Sequence, residues 1–361
     1  MKVERLNEGD HEAFLAFSES LYDPVFRTEN KRELRELLEG KHPLSHYFKV
    51  IPLVVKDAGR IVCRAVVTCY PDDPAAYLGY FESENNPEAA ALLMNDATHI
   101  AHMHGKKTIE GPMNASFWLG YRLKVNHFDK EPYFSELYNR DYYQALWEAN
   151  GFERRETYYS NFYAPVDEKI KQEKYQKRYQ QFTDKGYRIV SPTKQSLDND
   201  FQAVSGMLQD RFRTFPVFKG ISEEEFMVLF ENLKLLLNLR YVKLAYDSLG
   251  KFVGFVIAVP DYGTQLSKET LSKKEVLKAL LTKQMTRNYV IMYMAVKEQH
   301  EGLGSALVYA VIQEFKRYRV QSISSYIHEG KVSGSYVISS ITDQNEYVYY
   351  EKKIGSGTKG A

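Results

Sequence analysis

The chain has 361 residues, 44% hydrophobic and 26% charged; this exceeds one domain of roughly 150 residues and excludes a collagen-like or wholly disordered protein. Lysine plus arginine number 48 against 47 aspartate plus glutamate, so no polycationic field argues for nucleic acid or an anionic membrane as partner. Residues 1–165 carry 19 basic and 25 acidic side chains and the remainder 29 and 22, which directs an anionic ligand to the second half.

In chain order, the polar N-terminus MKVERLNEGD has no apolar stretch behind it, and no run approaches the ~18 residues of a membrane span, so neither secretion nor membrane insertion is expected. Lys2–Leu6 predicts a short strand, and residues 10–20 and 29–39 predict helices. Ile51–Val55 and Arg60–Cys69 predict a hairpin turned at Asp57-Ala58-Gly59. The two cysteines, Cys63 and Cys69, fall on its second strand about 20 Å apart, well beyond the roughly 6 Å that a disulfide spans. Reduced thiols and a cytoplasmic location follow. Strands are also predicted at Ala76–Glu82, at KKTIEGP and at Tyr158–Tyr163. His99, His102 and His104 invite a metal reading, but on a helix the third swings about 140° from the first, so no metal site is expected.

The stretch DEKIKQEKYQKRYQQFTDKG predicts a solvated helical connector, 166–186, between a first domain of residues 1–165 and a second of 187–361. Glu168 and Glu173 interrupt its positive charge, which argues against a nucleic-acid patch. Beyond it, Tyr187–Val190 predicts a strand, about 198–210 and 222–236 predict helices, and Tyr241–Tyr246 and Phe252–Val259 predict strands turned at Asp247–Gly250. The order β-α-α-β-β therefore occurs twice, an internal duplication. Asn288–Val296 then has the near-continuous apolarity of a buried central strand. Leu303, Ala306, Leu307, Ala310, Val311 and Phe315 recur at helical spacing, and Gln321–Ile327 and Glu346–Lys353 predict closing strands.

Between that strand and that helix stands Gln299-His300-Glu301-Gly302-Leu303-Gly304, followed by Ser305. Glycines at 302 and 304 let the backbone turn tightly and approach a ligand, and the opening helix points unpaired N–H groups outward. A phosphate is the natural guest. A dinucleotide fingerprint would want a third glycine where Leu307 stands.

The segment resembles the Gln/Arg-x-x-Gly-x-Gly/Ala motif of the GCN5-related N-acetyltransferase (GNAT) superfamily, and the predicted element order around it is that family's. EYVYYEKKI resembles the family's closing strand, and Asn139, Tyr143 and Asn150-Gly151-Phe152 resemble its N…Y…GF ending in the first half. The resemblance implies two tandem acetyltransferase-like α/β domains, each a mixed, mostly antiparallel sheet flanked by helices. It implies acetyl-CoA as co-substrate, with phosphates on the amides of Gln299, His300, Glu301, Gly302, Leu303, Gly304 and Ser305 and pantetheine on the main chain of Met294 and Val296. The thioester would lie where the fourth and fifth strands splay apart.

Attack by an amine calls for a base and an acid. The fourth strand offers only Tyr289 and Tyr293 as polar groups where many members carry a glutamate, so a water-relayed base is needed, or none. The resemblance places the acid at Tyr336, the only tyrosine of EGKVSGSYVISS, with Tyr293 as the other candidate. In the first half the corresponding FESENNPEAAA lacks Gly-x-Gly, and Glu82, Glu84 and Glu88 would repel a pyrophosphate, so no CoA is expected there. Gly111-Pro112-Met113-Asn114, with Phe117 and Trp118, reads either as a pocket wall or as a strand end.

The expected activity is transfer of an acetyl group to a primary amine of a small molecule or peptide by the second domain. The rival is a non-catalytic acyl-CoA sensor or scaffold. An aminoacyl transferase of the peptidoglycan-bridge type also pairs two such domains, but would not need Gln299–Gly304. Acceptor identity is set by variable loops, and neither it nor the oligomeric state is legible.

Overall fold

The computed structural model describes residues 1–166, 172–331 and 340–355. In the first half they form β1 (Lys2–Arg5), α1 (His11–Leu21), α2 (Lys31–Leu38), β2 (Lys49–Asp57), β3 (Arg60–Cys69), β4 (Ala75–Ser83), α3 (Pro87–Met103), β5 (Thr108–Gly111), β6 (Leu123–Lys124), α4 (Tyr143–Ala149) and β7 (Glu153–Tyr163). The second half forms α5 (Glu173–Asp184), β8 (Arg188–Val190), α6 (Leu197–Phe212), α7 (Glu223–Leu236), β9 (Val242–Tyr246), β10 (Phe252–Pro260), α8 (Lys273–Met285), β11 (Asn288–Val296), α9 (Leu303–Tyr318), β12 (Gln321–His328) and β13 (Ile341–Lys353). The mixed α/β class and the doubled β-α-α-β-β order are both present.

The chain folds into two compact units that exchange segments. Unit 1 is Met1–Thr157 with Gly263–Thr270 and the chain from Glu346; unit 2 is Tyr158–Tyr262 with Leu271–Asn345. Division at 166–186 therefore misses two crossings: Tyr158–Tyr163 of β7 pairs with β12 in unit 2, and Tyr350–Lys353 of β13 pairs with β5 in unit 1. The closing strands of the two halves have changed places.

In unit 1 the strands run β1-β2-β3-β4-β5-β13, antiparallel except for β4 with β5. The β2–β3 hairpin turns where Ala58 and Gly59 take left-handed φ of 47° and 83°, as its two-residue turn requires. Ile51, Leu53 and Val55 pack with Leu93, Met94 and Ala97 of α3 in one core, which Trp147, Val348 and Tyr350 complete. Cys63 and Cys69 are buried free thiols on β3.

Unit 2 runs β7-β12-β11-β10-β9-β8, with β11 and β12 parallel. Helix α9 packs its Leu303, Ala306, Leu307, Val311 and Phe315 on Tyr289, Val256 and Ala258 of the sheet. Helix α5 is not a solvated connector. Tyr175 and Phe182 are buried, and Phe182 belongs to the α9 core. Tyr179 packs beside them, 5.2 Å from the Tyr309 ring of α9, so three aromatics among many polar residues seat it.

Helix α8 was not anticipated. Its Val276, Leu277, Leu280 and Leu281 are exposed and only Ala279 is buried, so no apolar stripe marks it. Its start signal is nevertheless local: Glu275 N–H donates to Ser272 Oγ at 3.3 Å and Ser272 N–H to Glu275 Oε2 at 2.8 Å, a capping box. Among the described residues no helix is long and apolar enough to cross a membrane.

Candidate active site

The site grows from an interruption in β11. Its parallel pairing with β12 runs from Asn288↔Gln321 to Ile291↔Ser324. On its other side, Ile257 of β10 opposes Tyr293 and Ala258 opposes Ile291, so Met292 is an extra, bulged residue. The bulge reverses which face each later side chain takes. Ile291, Met294 and Val296 pack on the α9 core, whereas Tyr293 lies 6.2 Å from the Phe230 ring of α7.

The bulge also exposes main chain. Lys297 N–H donates to Val253 O at 3.0 Å, so in this antiparallel ladder odd-numbered residues turn their amides to β10. Met294 and Val296 turn theirs the other way, toward the space β12 has left. Because that half of β11 borders a space, Ile291 to Met294 are only half-buried, unlike the fully buried central strand anticipated.

Beyond Ile291 and Ser324 the strands diverge around a cavity of about 390 Å³. Ser325 Oγ donates to Ile291 O at 3.1 Å at the apex of the fork. Tyr326 takes a left-handed φ of 51°, its N–H donates to Ser160 Oγ at 3.1 Å, and the β12–β7 register shifts between Ser324 and Ile327. The kink places Tyr326, Ile327 and His328 along the cavity. Val308, Val311, Ile312 and Phe315 line it from α9; Arg211, Phe212 and Phe215 line it from the end of α6. Tyr163, its phenol pushed up by burial, completes the wall.

At the end of β11, Gly302 is the N-cap of α9 with φ 88°. His300 N–H donates to Lys297 O, Leu303 N–H to His300 O and Ser305 N–H to Gly302 O, at 3.0–3.1 Å. Gln299, Glu301, Gly302 and Gly304 supply the remaining amides of the turn, where a helix start leaves N–H groups without intrahelical acceptors. The His300 ring is engaged as well, its Nδ1 2.8 Å from the Tyr187 hydroxyl. A Cβ at Gly302 would stand 3.5 Å from the guanidinium of Arg178. That exposed arginine of α5 is a cation beside the turn that sequence reasoning assigned to the connector.

The structure thus brings Tyr293, Met294, Val296 and the 299–305 turn onto one strand and its following helix. Tyr336 lies outside the described residues. Arg178, Arg211, Tyr326 and His328 were missed, because tertiary packing rather than a motif assembles them.

Unit 1 has the same fork, but its own chain fills it. The β4–β5 pairing ends at Tyr77↔Glu110. Then Met113 N–H donates to Leu78 O at 2.9 Å and Tyr80 N–H donates to Asn114 Oδ1 at 2.8 Å. A Cβ on Gly79 would come within 2.0 Å of Met113 O. Gly111–Asn114 is therefore a plug. The start of α3 is closed as well: Pro87 has no N–H, and the Asn86 side chain takes the Ala89 amide at 3.0 Å. Glu82 does not act by repelling a phosphate. It is buried, accepts hydrogen bonds from Tyr22 at 2.7 Å and Tyr143 at 2.6 Å, and burial pushes it up to about 7. Glu84 pairs with Arg60, and Glu88 is exposed in the first turn of α3.

No protein-family model and no curated protein sequence matches this chain. Among solved structures, a tandem GNAT protein from the clavulanic acid biosynthesis pathway is similar over 99% of both chains, at 12% identity and a TM-score of 0.53. A GCN5-related N-acetyltransferase from Sphaerobacter thermophilus aligns with 98% of this chain and 96% of its own, at 11% identity and a TM-score of 0.49. The first likeness shows the fold: the chain has the tandem GNAT architecture.

Proposed function

We propose that this chain is an acyl-CoA-dependent N-acyltransferase, with acetyl-CoA held by unit 2 and a primary amine of a small molecule or peptide as acceptor. The observation that carries the reading is that one strand, β11, presents in sequence a bulge at a fork, outward main chain at Met294 and Val296, and a glycine turn opening a helix. Those three features match the three parts of such a cofactor: the thioester, the amide-bearing arm and the pyrophosphate. Arg178 adds a cation at the phosphate end, and a cavity of about 390 Å³ is within the range of small-ligand sites. A second reading, an acyl-CoA sensor without chemistry, is favoured by the absence of any carboxylate among the described residues lining the cavity.

Titration calorimetry with acetyl-CoA, followed by thiol release in the presence of an amine panel, tests both. Binding with amine-dependent release of CoA supports the enzyme; tight binding without release supports the sensor. Gly304→Val, which leaves the strained φ of Gly302 alone, places a side chain in the turn. It is expected to abolish the ligand-induced stabilisation, about 2.7 kcal/mol at a hundred times Kd for the parent.

A further inference from the structure

We propose that His328 is the general base that deprotonates the attacking amine. This rests on the acyltransferase reading and supplies the group that β11 lacks. The cavity has two sides. Ser322 and Ser324 pair with Tyr289 and Ile291, whose side chains pack on the α9 core, so the serines border the α9 side. Tyr293 lies against Phe230 of α7, and the His328 ring is 6.2 Å from Phe215, just past α6. Both therefore border the side opposite α9. With the arm of the cofactor on the α9 side, a thioester at the fork is open to attack from the side where His328 stands.

Elimination among the described lining residues gives the same assignment. Arg211 and Lys331 are cationic side chains, and Arg211 is paired with Glu298 at 2.5 Å. The phenol of Tyr163 is pushed up by burial, and phenols as a class are poor proton acceptors at neutral pH. Serine hydroxyls are poorer still. Imidazole is the side-chain type whose neutral form is abundant near pH 7. The stretch Val332–Ser339 adds no histidine or carboxylate by sequence. Among the described residues, the groups near His328 include Tyr158 of β7, edge-on at 5.0 Å; Glu329, which accepts from Tyr159 at 3.4 Å; Lys331, which lies over Phe215; Tyr326; and Arg211.

In the step, the imidazole takes a proton from the amine, the nitrogen bonds to the thioester carbonyl carbon, and the carbon–sulfur bond breaks. The departing thiolate takes up the proton that the nitrogen lost, so amide and free CoA are the products and no other reactant is needed.

The test uses the full chain, acetyl-CoA and the best amine of the panel. His328→Ala and His328→Gln are expected to keep the parent's acetyl-CoA affinity and KM for acetyl-CoA, and to lower kcat by 10²-fold or more, the usual worth of a positioned base. Imidazole in the buffer should restore turnover to His328→Ala, whereas thiazole, a ring of similar size and far weaker basicity, should not. A kcat within a few-fold of the parent in either folded variant, or equal rescue by both rings, overturns the assignment to His328 while leaving the acyltransferase reading intact. Absence of transfer by the parent chain with every amine overturns both.

Discussion

Glu33 and Glu82 hold protons that exposed carboxylates would have lost. Burial pushes Glu33 up to about 8, against a hydrogen bond from Tyr80 at 3.2 Å, and Glu82 up to about 7. Both lie above the ordinary carboxylate value, so the folded state binds more protons than the unfolded chain between these limits. The stability they contribute is fully present below about pH 4.5 and is lost as pH rises through about 7 to 8. Relative to the parent, Glu33→Gln should flatten the fall in melting temperature across that window, with a gain on the order of 1–3 kcal/mol at its alkaline end. Parallel melting curves at every pH would remove this account. The same contrast explains which residues could be read from sequence. The turn from Gln299 to Ser305 is contiguous, so its chemistry is spelled out locally. Glu82 read as a charge that would repel a pyrophosphate, because nothing adjacent shows that Tyr22 and Tyr143 enclose it. His328 gave no signal because its cavity is made by a kink in β12 and by the distant end of α6.

Two forks of one design have opposite fates, and the difference lies in the element that follows the fifth strand position. In unit 1, Met113 and Asn114 continue along β4 and consume its free main chain. In unit 2, β12 kinks away at Tyr326 and leaves Met294 and Val296 without a ladder partner among the described residues on that side. Calorimetry with acetyl-CoA should therefore give one site per chain, and a stoichiometry of two would show that the plug moves aside. The regular elements were legible because apolar spacing announces them: β11 and α9 begin and end close to where their patterns do. Helix α8 and the packing of α5 were not, since α8 buries almost nothing and α5 is seated by three aromatics in a charged sequence. The exchange of closing strands was illegible too, because EYVYYEKKI would complete either sheet equally well.

Across the molecule, that exchange decides what can be separated. Val348 and Tyr350 are fully buried in the core of unit 1, Tyr350 against Trp147 with ring centroids 5.8 Å apart. Each such side chain is worth roughly 1.5–3 kcal/mol of burial, a large share of a domain's margin of about 5–15 kcal/mol. A fragment of residues 1–165 should therefore show no cooperative thermal transition by circular dichroism. Adding a peptide of residues 340–355 should restore one; a sharp transition in the fragment alone would refute the point.

The order of synthesis meets a difficulty here. Residues 1–157 leave the ribosome before the strand that completes their sheet, and domains generally fold as they emerge. This one has to wait, because the strand that covers β5 is made only after unit 2. Until then Thr108–Gly111 remains a raw sheet edge of the kind that recruits other chains. While unit 2 is being made the nascent polypeptide carries that exposed edge, so a holding chaperone, or a slow passage through the codons of β13, would bear most heavily on the earlier of the two units.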